Sequence, residues 1–194
     1  MATTSGTTSA GSGPVLRFLT VSAARELGVL LSLSVMFPFL VHIIPVPEDA
    51  RLGARLLPAF YAPLLAALLG RERTAVAVAL LAPWLNWALT GHPSPLGAVA
   101  MTIELLVFVA AMRAMLARAG ARWYLAGPAY LMCLAAAAVA AAAFPALVGG
   151  RAPLGWAAGC VVTGVPGIAI LVLINWAVLR HYPPGADGDG ARLA

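Results

Sequence analysis

The stretch Leu96-Gly-Ala-Val-Ala-Met-Thr-Ile-Glu-Leu-Leu-Val-Phe-Val-Ala-Ala-Met112 decides the fold. Its apolar run reads as a helix that crosses a membrane. Glu104 sits inside it. A charge at that depth costs about 2.5–3.5 kcal/mol on insertion scales. It persists only where the side chain faces protein or a water-filled cavity. Such an acid marks a functional site by default.

Composition points the same way. Of 194 residues, 62% are hydrophobic and 10% are charged. A soluble domain carries about a quarter charged residues, so this chain cannot cover a water-facing surface. The expected fold is an all-α integral membrane protein, a single bundle of six transmembrane helices. No long insertion offers space for an ATPase or a sensor module. Every basic residue is Arg, and with so much Ala, Gly and Pro this is the usage of a GC-rich, bacterial genome. The net charge of +5 is not a nucleic-acid signal, because the arginines lie in short loops beside the helices. Cys133 and Cys160 fall in apolar segments and read as small buried hydrophobes. They form no CxxC and no metal-ligand spacing.

Outward from Glu104, the chain divides into six segments between two tails. Residues 1–14 are Ser/Thr/Gly-rich, lack the pattern of a signal peptide and read as a disordered tail; residues 183–194 read as another. The six-helix domain is expected over 15–182. Its first helix is predicted over Val15–Ile44, with a kink at Pro38 and an end at Pro45-Val-Pro47. The second, over Leu56–Leu69, is short and contains Pro58 and Pro63. The third spans Thr74–Thr90 and the fourth Leu96–Leu116, joined by the breaker-rich loop Gly91-His-Pro-Ser-Pro95. The fifth spans Trp123–Val148 and the sixth Leu154–Leu179, bent at Gly164, Pro166 and Gly167. Arg17, Arg25, Arg71, Arg73, Arg113, Arg118, Arg122, Arg180 and Arg192 all fall on one side of this layout, and Arg51, Arg55 and Arg151 on the other. The positive-inside rule makes the first side cytoplasmic, with both termini.

No catalytic constellation is present: no HExxH, no GxSxG and no P-loop. His42, His92 and His181 are scattered, and no Asp lies in any segment. No ring of polar residues suits an ion channel. No enzymatic activity, cofactor or metal is expected. The chain reads as a binding or transport module.

Polar and aromatic residues collect toward the outer ends. Asn86 and Thr90 are four apart on one helical face, with Trp87 beside them. At 1.5 Å per residue, Asn86 lies roughly 7–8 Å from the loop and Glu104 roughly 10 Å. The third and fourth helices are antiparallel, so the two side chains meet at similar depth. Met101 and Phe108 share the face of Glu104. One acid, one amide and nearby indoles suit a small, partly aromatic, cationic ligand. The tryptophans also fit an interfacial belt, and Glu104 also fits a bond within the bundle. In the first helix, Ala24, Gly28 and Ser32 form a small-residue ladder that lets another helix approach closely. It reads either as an internal contact or as a docking face for a partner protein.

Two stretches carry a family resemblance: Arg55-Leu-Leu-Pro-Ala-Phe-Tyr-Ala-Pro-Leu-Leu-Ala-Ala-Leu-Leu-Gly70 and Leu80-Leu-Ala-Pro-Trp-Leu-Asn-Trp-Ala-Leu-Thr-Gly-His-Pro-Ser-Pro95. They resemble the substrate-binding S components of energy-coupling-factor (ECF) transporters, in which an apolar helix with Pro and Asn or Ser runs into a Thr-Gly-x-Pro loop. Met101-Thr-Ile-Glu-Leu105 is similar to the Met-x-x-Glu-Leu element that follows there. The chain departs from the family pattern at Phe60-Tyr61, where many relatives carry Met-His, and at Ala111-Met-Arg-Ala-Met115. The resemblance implies a high-affinity binder of a vitamin or its precursor in the bacterial cytoplasmic membrane, with the ligand near the outer face. It implies partners too: a transmembrane coupling subunit, docked along the first helix at Ala24 and Gly28, and two ATPase subunits. The expected ligand residues are Glu104, Asn86, Trp87, Thr90, His92, Met101 and Tyr61. The other readings open to these residues are a structural or assembly protein with Glu104 as a packing contact, and a solitary transporter with Glu104 as a proton carrier.

Overall fold

The computed structural model describes residues 21–43 and 52–182. Both expected tails, residues 15–20 and 44 of the first segment and residues 45–51, with Glu48 and Arg51, lie outside the described residues. The described chain is all helix, with no strand. It comprises α1 (Val21–Ile43), α2 (Leu52–Leu56), a 3-10 turn (Pro58–Phe60), α3 (Tyr61–Leu68), α4 (Glu72–Thr90), α5 (Pro95–Ala119), α6 (Ala126–Ala143), a second 3-10 turn (Pro145–Val148) and α7 (Pro153–His181).

Among the described residues, four helical stretches are long and apolar enough to cross a membrane: Ala23–Val41, Pro95–Ala119, Ala126–Ala143 and Pro145–His181. Their outer surfaces agree with that. Val139 is 73% exposed, Val162 75% and Leu154 81%, as suits surfaces that face lipid. The second and third expected segments are not among the four. α4 starts on Glu72-Arg73 and carries Pro83, Asn86 and two tryptophans, which dilute its hydropathy.

The second segment, expected as one helix over Leu56–Leu69, is broken. Pro58 disfavours helical geometry at the residue before it and supplies no N–H. Leu57 takes the left-handed region at φ 55, costing about 1–2 kcal/mol for a residue with a Cβ. The fifth segment, expected to reach Val148, ends as α6 at Ala143 for the same reason: Phe144 precedes Pro145 and is extended at φ −132, ψ 77. α7, in contrast, runs continuously through Pro166.

α5 lies between α4 and α6, and α6 between α5 and α7. α1 packs on α4 and α3, while α2 lies on α7. Two features allow these approaches. The inward row of α6 is almost all small: Ala126, Ala129, Cys133, Ala137 and Ala141 are buried. On α7, a Cβ at Gly167 would stand 2.6 Å from Leu57 Cγ and 2.7 Å from the Arg55 carbonyl oxygen, so only glycine lets the α2 break sit there. The core centres on Phe108, Leu64, Leu105, Met112 and Leu171, all fully buried. Phe60 packs edge-to-face on both Phe108 and Tyr130, with centroids 5.2 Å apart in each pair. Asn175, fully buried on α7, donates through Nδ2 to the Arg122 carbonyl at 3.1 Å. That bond ties the α5–α6 connection to α7.

Candidate functional site

The site is built at one end of the helices, where the α4–α5 loop folds back. Gly91 ends α4 in the left-handed conformation, its N–H bonded to the Trp87 carbonyl. The Thr90 hydroxyl lies 2.7 Å from the Asn86 carbonyl oxygen and 3.1 Å from that of His92, and accepts from the His92 N–H at 3.2 Å. Those bonds hold the backbone of the loop at His92, which is exposed and lies at the rim of the cavity described below. Ser94 then caps α5, its Oγ accepting from the Gly97 N–H at 3.2 Å, with Pro95 at the first helical position. Glu104 follows nine residues after Pro95, on the face turned toward α4, α6 and α7.

Between these elements lies a cavity of about 550 Å³. α1 contributes Pro38 and Phe39, the α2 break Leu57 and Phe60, α6 Tyr130 and α7 Cys160. Its volume lies in the range of small-ligand pockets, and its wall is mostly apolar with a few polar groups. Asn86, Thr90, His92, Met101 and Glu104, five of the residues singled out in the sequence, all line it. A separate void of about 10 Å³ adjoins Glu104 on the side of Ala137, Val148 and Trp156.

Glu104 is half-buried, and among the described residues no hydrogen bond or ion pair reaches its carboxylate. The other described acids differ. Glu26 pairs with Arg71 at 3.2 Å and Glu72 with Arg113, both at the opposite end of the fold. Asn86 is 6% exposed. It does not bond Glu104, as the similar depths suggested; its Nδ2 donates instead to the carbonyls of Ser34 on α1 and Ala82, at 3.2 and 3.1 Å.

Two of the expected ligand residues are not brought to the cavity. Trp87 is 40% exposed and stacks edge-to-face on Trp84 on the outer side of α4. One residue beyond Asn86 is a turn of about 100° around a helix, which carries it away from the site. Tyr61 also points elsewhere. Its hydroxyl donates to the Leu56 carbonyl, and its ring meets Phe37 of α1 edge-to-face at 5.6 Å. The break after α2 leaves that carbonyl without a helical donor, and Tyr61 fills the place. Its neighbour Phe60 faces the cavity instead. Phe60, Tyr130, Leu57 and Cys160 line the cavity but were not expected as ligand residues, since apolar or lone residues on separate elements carry no such signal. The one available signal was Pro58, which sets the break that turns Leu57 and Phe60 inward.

On α1, Ala24, Gly28 and Ser32 are all exposed, and among the described residues nothing lies within 4 Å of a Cβ built at Gly28. Among the described residues, none covers the ladder. The Ser32 hydroxyl donates back to the Gly28 carbonyl at 2.8 Å, so the ridge presents no free hydroxyl proton. Comparison with protein-family models, with curated proteins and with solved structures finds no match for this chain.

Proposed function

We propose that the chain is the membrane-embedded substrate-binding component of an ECF-type uptake transporter for a micronutrient, a vitamin or its precursor. It has no enzymatic activity of its own. The observation that carries the reading is Glu104: a carboxylate without a partner among the described residues, on the wall of a half-open cavity of about 550 Å³. A packing acid is expected to have a partner, because an unpaired buried charge costs several kcal/mol. A ligand with a positive charge and a flat apolar body supplies what is missing, its body lying against Phe39, Phe60 and Tyr130. In this reading the six segments all cross the membrane: α1, the broken α2–α3 pair, α4, α5, α6 and α7. The Arg-rich end is cytoplasmic with both termini, and the cavity opens outward. A coupling subunit lies along the exposed ridge of Ala24, Gly28 and Ser32, and two ATPases drive it.

The test is to purify the protein from its native membrane and identify bound small molecules by mass spectrometry. A stoichiometric nitrogen-containing micronutrient, and co-purification of two ATPases with a membrane subunit, are expected. A protein that purifies empty, binds no such compound and brings down no ATPase sinks the reading. Uptake that follows a proton gradient without ATPases would favour the solitary carrier instead.

A further inference from the structure

Asn86 has only one atom to offer a ligand, and Pro38 decides which. The side-chain nitrogen of Asn86 carries two hydrogens, and two carbonyl oxygens lie against it, Ala82 at 3.1 Å and Ser34 at 3.2 Å. The first is one turn earlier in its own helix. The second belongs to α1, and the sequence explains why it needs a donor. In an α-helix the carbonyl of residue 34 bonds the N–H of residue 38. Residue 38 is Pro, inside α1, and has no N–H. Ser34 is 1% exposed, so water does not replace the lost donor. A buried carbonyl left without a donor is costly, and the Asn86 amide nitrogen takes the place.

With both hydrogens committed to carbonyls, Asn86 keeps Oδ1 as its free polar atom, and the residue lines the cavity. Glu104, also on the wall, can accept but not donate when ionised. The Tyr130 hydroxyl, Cys160 thiol and His92 ring can each serve as donor or acceptor, so they leave the character of the site to Asn86 and Glu104. We propose that Pro38 is a specificity-determining residue: by orphaning the Ser34 carbonyl it commits Asn86 to acceptance, so that the cavity takes a ligand headed by a positively charged N–H donor group, an amidinium or a protonated amino-heterocycle, and rejects carboxylates and phosphates. This rests on the ligand-binding reading above and names the chemistry of its ligand.

The probes are benzamidine and benzoate, alike in shape and opposite in charge and hydrogen-bonding sense. With Cys133→Ser, Cys160 is the remaining thiol, since the chain has two. Its alkylation by N-ethylmaleimide in the full-length protein in lipid nanodiscs is followed by mass spectrometry. Benzamidine is expected to protect Cys160 at concentrations at least about tenfold below any protection by benzoate, the ratio expected for one charge-assisted hydrogen bond. Pro38→Ala returns an N–H to Ser34, frees a hydrogen of Asn86 and narrows that ratio.

A ligand-free measurement stands beside it. Asn86→Asp alone is expected to lower the melting temperature, because a carboxylate then faces the Ser34 carbonyl. Adding Pro38→Ala is expected to recover most of that loss, a non-additive pair. Equal protection by benzoate, or strictly additive melting shifts, overturns the role of Pro38 and leaves the binding site standing. Protection by neither probe overturns both the proposal and the cavity as a ligand site.

Discussion

Glu104 and Asn175 are both interior polar residues, yet they ask for different partners. Asn175 is fully buried, off the cavity wall, and spends its amide on the Arg122 carbonyl. Asn175→Ala is expected to cost about 1–3 kcal/mol, the price of leaving that carbonyl unmet, with ligand affinity unchanged. Chemical denaturation and binding of the co-purified compound, measured on one preparation, check both halves. Glu104 inverts the pattern. Glu104→Gln keeps the shape and removes a charge that no described residue compensates, so the melting temperature is expected to hold or rise. Affinity for the co-purified compound is expected to fall about ten- to a hundred-fold, since a hydrogen bond to a charged group is worth about 1.5–3 kcal/mol. Unchanged affinity with a much lower melting temperature would identify a structural acid and remove Glu104 from the site.

At the scale of elements, the proposed function rests on the α2 break and the α1 ridge, and glycine serves each differently. Gly167 is a steric requirement: an added methyl would stand 2.8 Å or less from the backbone of Arg55 and Leu56. Gly167→Ala must push α2 off α7, at a cost of about 1–3 kcal/mol. Because Leu57 and Phe60 belong to the cavity wall, ligand affinity is expected to fall with stability. A Gly167→Ala protein that melts and binds like the parent would show that α2 yields freely. Gly28 has open space around it. Gly28→Leu is therefore expected to keep or slightly raise helix stability and to leave binding intact, while uptake and pull-down of the membrane partner are lost as close helix approach is blocked. Retained uptake would move the docking face elsewhere.

For the whole molecule, the prediction is orientation. The ion pairs Glu26–Arg71 and Glu72–Arg113 and the loop with Arg118 and Arg122 mark one end of the fold. The cavity and the loop with His92 and Ser94 mark the other. In a background lacking Cys133 and Cys160, a cysteine at Ser94 is expected to react with an impermeant maleimide added to intact cells, and one at Ala119 only after lysis. The reverse pattern would place the cavity on the cytoplasmic side and leave an uptake receptor without access to its substrate.

What was legible in the sequence was local. The class followed from hydropathy, because a chain this poor in charge has no surface to offer water. Asn86, Thr90, His92, Met101 and Glu104 were legible as neighbours because they lie within twenty residues, on two helices joined by a short loop, where rise and antiparallel direction fix relative depth. Rotation about an axis was not legible: Trp87 and Tyr61 differ from the cavity residues Asn86 and Phe60 by a single position, and only tertiary contacts choose which of two adjacent side chains faces in. Nor were the walls from α6 and α7, since an alanine row and a lone Tyr or Cys carry no sign of what they will touch. The outward face of the α1 ladder was open for the same reason; spacing makes a ridge, and the neighbours decide whether it is covered. The sequence by itself determined the helical class, the apolar segments and one acid at depth, because those depend on hydropathy and solvation along the chain; the breaks at Pro58 and Pro145, expected inside continuous helices, and the lack of a described partner for Glu104 appeared only in the structure. Only the tertiary structure decided that the carbonyl freed by Pro38 would be met by Asn86, because that bond joins residues 52 apart and exists only once α1 lies against α4.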